Sequence, residues 1–97
     1  MTAIIADKFK PEKIILFGSY ARGDFITGSD VDLLVVMQVN GSKRKTAASI
    51  DLALAERYLP LDLIVVTPEE LMNYSEVKGH IIYPAVHEGK VLYERAA

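Results

Sequence analysis

The stretch that decides the fold is GSYARGDFITGSDVD, residues 18–32. It is polar, and it lies between two apolar runs, IILF at residues 14–17 and LLVV at residues 33–36. Short apolar runs that are bounded by turn residues are typical of strands covered on both faces. The polar stretch is therefore expected to connect the ends of two core strands, with a Gly-Ser pair at one end and an Asp-x-Asp pair at the other.

Length and charge limit what the chain can be. The 97 residues correspond to one domain, residues 1–97, and the 51% apolar content is enough for a modest core. This length leaves no room for a separate acceptor-binding domain. A net charge of −2 gives no basic footprint, so a nucleic-acid substrate is disfavoured.

The composition also indicates the cellular compartment in which the protein is expected. The chain has no cysteine, which excludes a disulfide framework and thiolate chemistry. Its apolar runs are much shorter than the ~20 residues of a membrane span, and charges by the eighth residue argue against a signal peptide. We therefore expect a cytoplasmic domain that does not use a membrane.

The rest of the pattern alternates helices and strands. The Thr67-Pro68 pair followed by two acids is a helix start signal, and Ser19 is expected to cap a helix of one or two turns. The expected helices cover residues 2–10, 43–58, 68–74 and 76–87, and the expected strands cover residues 13–17, 31–37, 61–66 and 90–94. This order predicts an α/β (α+β) fold with a small mixed sheet flanked by helices.

Asp30 and Asp32 are the first candidates for chemistry. Two residues apart at the start of a strand, they point to the same face, with Cα atoms about 6.5–7 Å apart. Carboxylates so placed can converge on two metal ions, and Mg²⁺ prefers such oxygen ligands. The alternative is that they are turn or cap residues, but two like charges at a sheet end are costly without a cation.

Asp62 is the only acid in the apolar segment 59–66. If its strand lies beside the strand of Asp32, the three carboxylates form one cluster. The alternative is a structural aspartate, paired with a nearby lysine or a cap.

The Gly18-Ser19 pair lies where a strand gives way to a helix. Such a helix start offers free N–H groups to a phosphate, Gly18 lets the phosphate approach the backbone, and Ser19 can donate its hydroxyl. Arg22 lies on the same helical face. A cation in the first turn of a helix is disfavoured by the helix dipole, so its position makes sense if an anion is bound there. Its alternative role is an ion pair with Asp24 or Asp30.

Other polar residues give weaker signals. His80 and His87 are expected on one helix face, packed or solvated rather than binding a metal. The basic run at residues 43–45 is expected to be solvated.

Taken together, Gly18-Ser19, ten intervening residues, Asp30-x-Asp32, an apolar strand and then Asp62 resemble the DNA polymerase β-like nucleotidyltransferase superfamily. The fuller run, with Gly-Ser-Tyr-Ala-Arg-Gly before Ser-Asp-Val-Asp-Leu, is similar to its minimal nucleotidyltransferase (MNT) family. The resemblance covers nearly the whole chain.

The resemblance implies the polymerase β-like fold and a site for ATP and two Mg²⁺. It implies that Asp30, Asp32 and Asp62 are catalytic and bind metal, with Asp62 also the base for the attacking hydroxyl. The implied nucleotide-binding residues are Gly18, Ser19, Arg22 and Ser29.

It also implies a partner. MNT proteins often act as antitoxins of HEPN-domain toxins, and some transfer AMP to a tyrosine of the toxin. No arginine here has a histidine at the spacing of HEPN ribonucleases, so this chain is not expected to be the toxin. The favoured function is therefore Mg²⁺-dependent transfer of NMP, from ATP, to a hydroxyl of a partner protein. The alternatives are a binding module that neutralises its partner by occlusion and a small-molecule nucleotidyltransferase; self-association stays open.

Overall fold

The computed structural model describes residues 2–23, 30–54 and 61–95. Five helices and four strands follow one another in these ranges in the predicted order. They are α1 (Thr2–Phe9), β1 (Lys13–Phe17), α2 (Ser19–Arg22), β2 (Val31–Val36), α3 (Lys43–Ala53), β3 (Leu61–Val66), α4 (Pro68–Tyr74), α5 (Ile82–Glu88) and β4 (Lys90–Glu94).

The four strands form one mixed sheet in the order β3-β2-β1-β4. β1 is antiparallel to both β2 and β4, whereas β2 and β3 are parallel. The parallel pair requires a crossover connection, and α3 lies within it along the chain. This crossover brings the start of β3 beside the start of β2, which confirms the expected mixed sheet.

Apolar side chains cover both faces of the sheet, as the continuous apolar runs predict. On one face, Ile14, Leu33 and Val35 pack with Ile5 of α1 and Ile50 of α3. On the other face, Ile15, Leu34, Val36 and Val66 pack with Ile82 and Ala85 of α5, and Leu71 of α4 lies against them. The alternation of side chains along each strand places Asp32 and Asp62 on this second face.

The start of α4 follows its sequence signal closely. The hydroxyl of Thr67 accepts from the N–H of Glu70 at 3.2 Å, and the Glu70 carboxylate accepts from the N–H of Thr67 at 2.9 Å. This reciprocal capping box, with Pro68 in the first turn, fixes the direction in which the chain leaves β3. Lys43, at the start of α3, donates to the same carboxylate at 2.6 Å and ties the two helices together.

Two helix boundaries differ from the prediction. α3 ends at Ala53, with Leu54 as its cap, although apolar periodicity predicts a helix to residue 58; Tyr58 lies outside the described residues. The predicted helix over residues 76–87 is wrong in its first half, because a turn region precedes Ile82. His80 thus lies outside α5, where its Nδ1 accepts from the N–H of Ile82 at 3.1 Å and its ring stacks on Tyr74.

His80 and His87 therefore do not share a helix face. His87, in the last turn of α5, lies 3.2 Å from a carboxylate oxygen of Glu76 and 3.1 Å from the carbonyl oxygen of Ser75. Both histidines hold the turn before α5 against the helix, so local packing accounts for them. Among the described residues, no helix is long and apolar enough to cross a membrane.

Candidate active site

The candidate site begins at the turn between β1 and α2. Gly18 caps α2 with φ 76° and ψ −154°, a conformation that favours glycine. Its carbonyl oxygen accepts from the N–H groups of Ala21 and Arg22, each at 3.1 Å. Ser19 is the first residue of α2, so the prediction that Ser19 caps this helix is wrong: Gly18 is the cap, without a side-chain hydrogen bond.

Gly18 lies directly against Asp32. A Cβ atom built at Gly18 would overlap Asp32 Oδ2 and would lie 3.1 Å from Asp32 Cγ. This contact follows from the antiparallel register, which pairs Phe17 with Asp32. The missing side chain therefore has a structural reason that sequence reasoning did not identify: it makes room for the Asp32 carboxylate.

Asp32 and Asp62 are register partners on the parallel strands β2 and β3. Neighbouring strands lie about 4.8 Å apart, so the two carboxyl groups are near enough for the charge of Asp62 to act on Asp32. The adjacency of these acids, which the sequence could only pose as a condition, is thus present in the fold.

The environment of Asp32 disfavours its charge. Burial raises the pKa of Asp32 above its usual range, and the nearby charges of Asp62 and Asp30 raise it further, together with hydrogen bonding between the Asp32 and Asp62 side chains. Arg22 acts in the opposite direction and lowers the pKa of Asp32. The site therefore concentrates negative charge, and among the described residues Arg22 offsets this charge at Asp32.

Asp30 is exposed and precedes β2. Its charge acts on Asp32, but it is not among the described residues that line the cavity over Asp32 and Asp62. In the described part of the chain, no three His, Asp or Glu side chains are arranged to hold a metal ion.

A cavity of about 270 Å³ opens over these groups. Its polar lining comes from the turn and the strands, with Arg22, Asp32 and Asp62 in the wall. Further lining comes from Ile81, the cap of α5, and from Pro84 and Glu88 of α5, none of which was predicted as a site residue. The lining residues are Phe17, Gly18, Arg22, Asp32, Asp62, Ile64, Ile81, Pro84 and Glu88.

The donor set fits a hard divalent cation. Carboxylate oxygens are the ligands that Mg²⁺ prefers, and Mg²⁺ usually keeps several waters beside one or two carboxylates. A cation bound between the two carboxylates would offset their like charges. Two of the predicted nucleotide-binding residues, Gly18 and Arg22, line the cavity, and Ser19 lies between them in sequence. The fourth, Ser29, lies outside the described residues.

Known proteins with a similar sequence support a transferase. The family model described as "Nucleotidyltransferase domain" matches residues 2–84. Two similar proteins of Methanocaldococcus jannaschii carry the provisional name protein adenylyltransferase. The first is 39% identical, and the match covers 84% of this chain and 78% of the relative. The second is 33% identical, and the match covers 72% of this chain and 70% of the relative.

Solved structures are similar in fold. A toxin–antitoxin crystallised with AMP-PNP superposes with a TM-score of 0.62 at 26% identity, over 97% of this chain and 70% of that one. A nucleotidyltransferase from Sulfolobus solfataricus gives a TM-score of 0.56 at 22% identity, over 97% and 73%. The second comparison concerns the fold alone.

Proposed function

The chain belongs to the nucleotidyltransferase domain family, and on this premise we propose that it transfers AMP from ATP to a hydroxyl of a partner protein. The partner we propose is a HEPN-domain toxin, for which this chain is the antitoxin. The relatives named protein adenylyltransferase support a protein acceptor. The toxin–antitoxin with AMP-PNP supports a toxin as the partner and an adenine nucleotide as the ligand, and the HEPN domain of that toxin comes from the family resemblance alone.

One observation carries the proposal: Asp32 and Asp62 are paired across β2 and β3, and Asp32 lies directly against Gly18. Nucleotidyl transfer needs negative oxygens to position cations, and a backbone turn and a cation to hold phosphates. The cavity brings these groups together around Gly18, Arg22 and the two aspartates.

The proposed reaction is an in-line displacement at phosphorus. The acceptor oxygen forms a bond to the α-phosphorus, the bond from that phosphorus to the bridging oxygen breaks, and pyrophosphate leaves with the electron pair. The hydroxyl proton passes to the Asp62 carboxylate. Arg22 and the Gly18-Ser19 turn hold the β- and γ-phosphates, so the chain supplies mainly position and charge.

Asp30, Asp32 and Asp62 would hold the divalent cations. When bound, Mg²⁺ offsets the charge that develops on the attacking and leaving oxygens. Asp32 and Asp62 are register partners, so their carboxylates would face the cations together, and the charge of Asp30 acts on Asp32.

The experiment is a transfer assay with α-labelled ATP, Mg²⁺ and the purified product of the neighbouring gene. We expect label on that protein with the natural chain and none with Asp32→Asn or Asp62→Asn. Asp7→Asn, on the exposed side of α1, is the control for loss of an acidic group. A tight complex that forms without label, and is unaffected by Asp32→Asn, would favour neutralisation by occlusion.

A further inference from the structure

Glu88 is a carboxylate of the cavity that neither the motif nor the family resemblance includes. It is the last residue of α5, and it lines the same cavity as Asp32, Asp62 and Arg22. With Ile81 and Pro84 it follows the three- and four-residue spacing of one helical stripe. The α5 wall therefore has an apolar part and one acidic end.

The backbone next to Glu88 is fixed against β1. A Cβ atom at Gly89 would lie 2.7 Å from Ile15 Cγ2 and 2.8 Å from the carbonyl oxygen of Leu16, and it would overlap the carbonyl oxygen of Ala85. The N–H of Gly89 donates to that Ala85 carbonyl at 3.1 Å, which ends the helix. Glu88 is thus held close to the strand that leads into the Gly18 turn.

Glu88 is exposed, and no contact within the described residues favours its charge. An acid in the last turn of a helix opposes the helix dipole, which favours cations there. Within the described ranges, Glu88 also has no ion-pair partner. Beside a turn proposed to hold phosphates, a bare carboxylate would repel the nucleotide.

A hydrated cation between Glu88 and the phosphates removes this conflict. Mg²⁺ typically keeps several of its waters, and these waters donate to nearby carboxylates. The cavity of about 270 Å³ has room for several waters between its walls. Resting on the proposed function, we propose that Glu88 is a positioning residue that binds, through water, the divalent cation accompanying the triphosphate.

The test measures cation binding, so that it does not depend on transfer. Free Mn²⁺ is followed by electron paramagnetic resonance during titration of the whole chain in the presence of AMP-PNP. We expect Glu88→Gln to weaken Mn²⁺ binding about tenfold, the low end of the effect of removing an outer-shell partner. Glu88→Asp, which keeps the charge, should retain most of the affinity.

Glu69→Gln is the matched control, since Glu69 is an exposed acid on α4 outside the cavity. Unchanged Mn²⁺ affinity in Glu88→Gln would overturn the proposal, as would an equal loss in Glu69→Gln. A slower transfer with unchanged Mn²⁺ affinity would also overturn it, and would assign Glu88 to the acceptor. If no transfer is found for the natural chain but the Mn²⁺ differences appear, the proposed function fails and the role of Glu88 stands.

Discussion

The carboxylate of Asp32 occupies the space that a side chain at Gly18 would need. A Cβ atom on Gly18 would overlap Asp32 Oδ2, and the positive φ of Gly18 already disfavours any other residue. The turn proposed to hold phosphates and the strand proposed to hold metal are therefore in direct contact. A change on either side of this contact alters the other.

We predict that Gly18→Ala destabilises the fold and abolishes transfer. The backbone conformation alone costs about 1–3 kcal/mol for a residue other than glycine, and overlap with Asp32 adds to it. The measurement is the free energy of unfolding in urea. The same substitution made in an Asp32→Ala background should cost less, because the overlap is gone.

Gly23→Ala is the control for this experiment, since Gly23 also has a positive φ of 82° but has open space around its Cβ position. It should destabilise less than Gly18→Ala. Suppose that Gly18→Ala and Gly23→Ala lower the free energy of unfolding equally, and that Asp32→Ala does not change this. The contact of Gly18 with Asp32 would then make no measurable contribution to stability.

Asp32→Asn is predicted to leave the metal-free protein equally stable or to stabilise it at neutral pH. Burial, Asp62 and Asp30 raise the pKa of Asp32 in the folded state above the value of 3.8 of an ordinary aspartate. Because this pKa is raised on folding, the contribution of Asp32 to the stability of the fold is fully present below pH 3.8. It is lost as the pH rises through the folded-state pKa. The advantage of asparagine should therefore appear above that pKa and vanish in acid.

Thermal denaturation from acidic to neutral pH measures this effect, with Asp7→Asn as the control. Mg²⁺ should raise the melting temperature of the natural chain more than that of Asp32→Asn, because ligands stabilise the state that binds them. A clear loss of stability in metal-free Asp32→Asn at neutral pH would indicate a structural role for Asp32 instead.

The capping box at α4 gives a prediction with the opposite pH dependence. The hydrogen bond from Lys43, followed by that from the N–H of Thr67, lowers the pKa of Glu70 below its usual value of 4.5. The contribution of Glu70 to the stability of the fold is therefore fully present above pH 4.5 and is lost as the pH falls through the folded-state pKa. Glu70→Gln should lower stability at neutral pH and flatten the acid branch of the stability curve.

Glu69→Gln separates capping from the helix dipole, because Glu69 lies in the same first turn but does not bond Thr67. Thr67→Ala should cost about 1 kcal/mol, as is typical for the loss of a cap. If Glu69→Gln and Glu70→Gln had the same pH profile, the capping box would not be the cause.

Gly89→Ala is predicted to be strongly destabilising although φ at Gly89 is negative. The added methyl group would meet the backbone oxygens of Ala85 and Leu16, which cannot move without shifting α5 from β1. Gly79→Ala is the matched control, with open space at its Cβ position. Equal unfolding free energies for the two variants would contradict the close contact of α5 with β1.

Local signals were sufficient for the strands and for α4. The apolar runs at β1 and β3 and the Thr67-Pro68 pair predict the observed boundaries, because burial and capping are decided by residues within a few positions. The helix before Ile82 was overpredicted because the turn there is held by His80 and His87, whose hydrogen bonds are specific to this structure.

The site was predictable in part. The motif predicted Gly18, Arg22 and the three aspartates as site residues, and Gly18, Arg22, Asp32 and Asp62 line the cavity. The pairing of Asp32 with Asp62 depends on a parallel crossover that no local pattern specifies. The contact of Gly18 with Asp32 depends on the register between β1 and β2. Glu88 was missed because an acid at a helix end is common on solvated surfaces, and only the packing of α5 places it at the cavity.

The most direct test of nucleotidyl transfer compares two samples of ATP, one labelled at the α-phosphate and one at the γ-phosphate, with the natural chain and its partner protein. We predict α-label on the partner, γ-label in released pyrophosphate, and loss of both in Asp32→Asn. Label from the γ-phosphate on the partner, or pyrophosphate release that survives Asp32→Asn, would contradict this prediction.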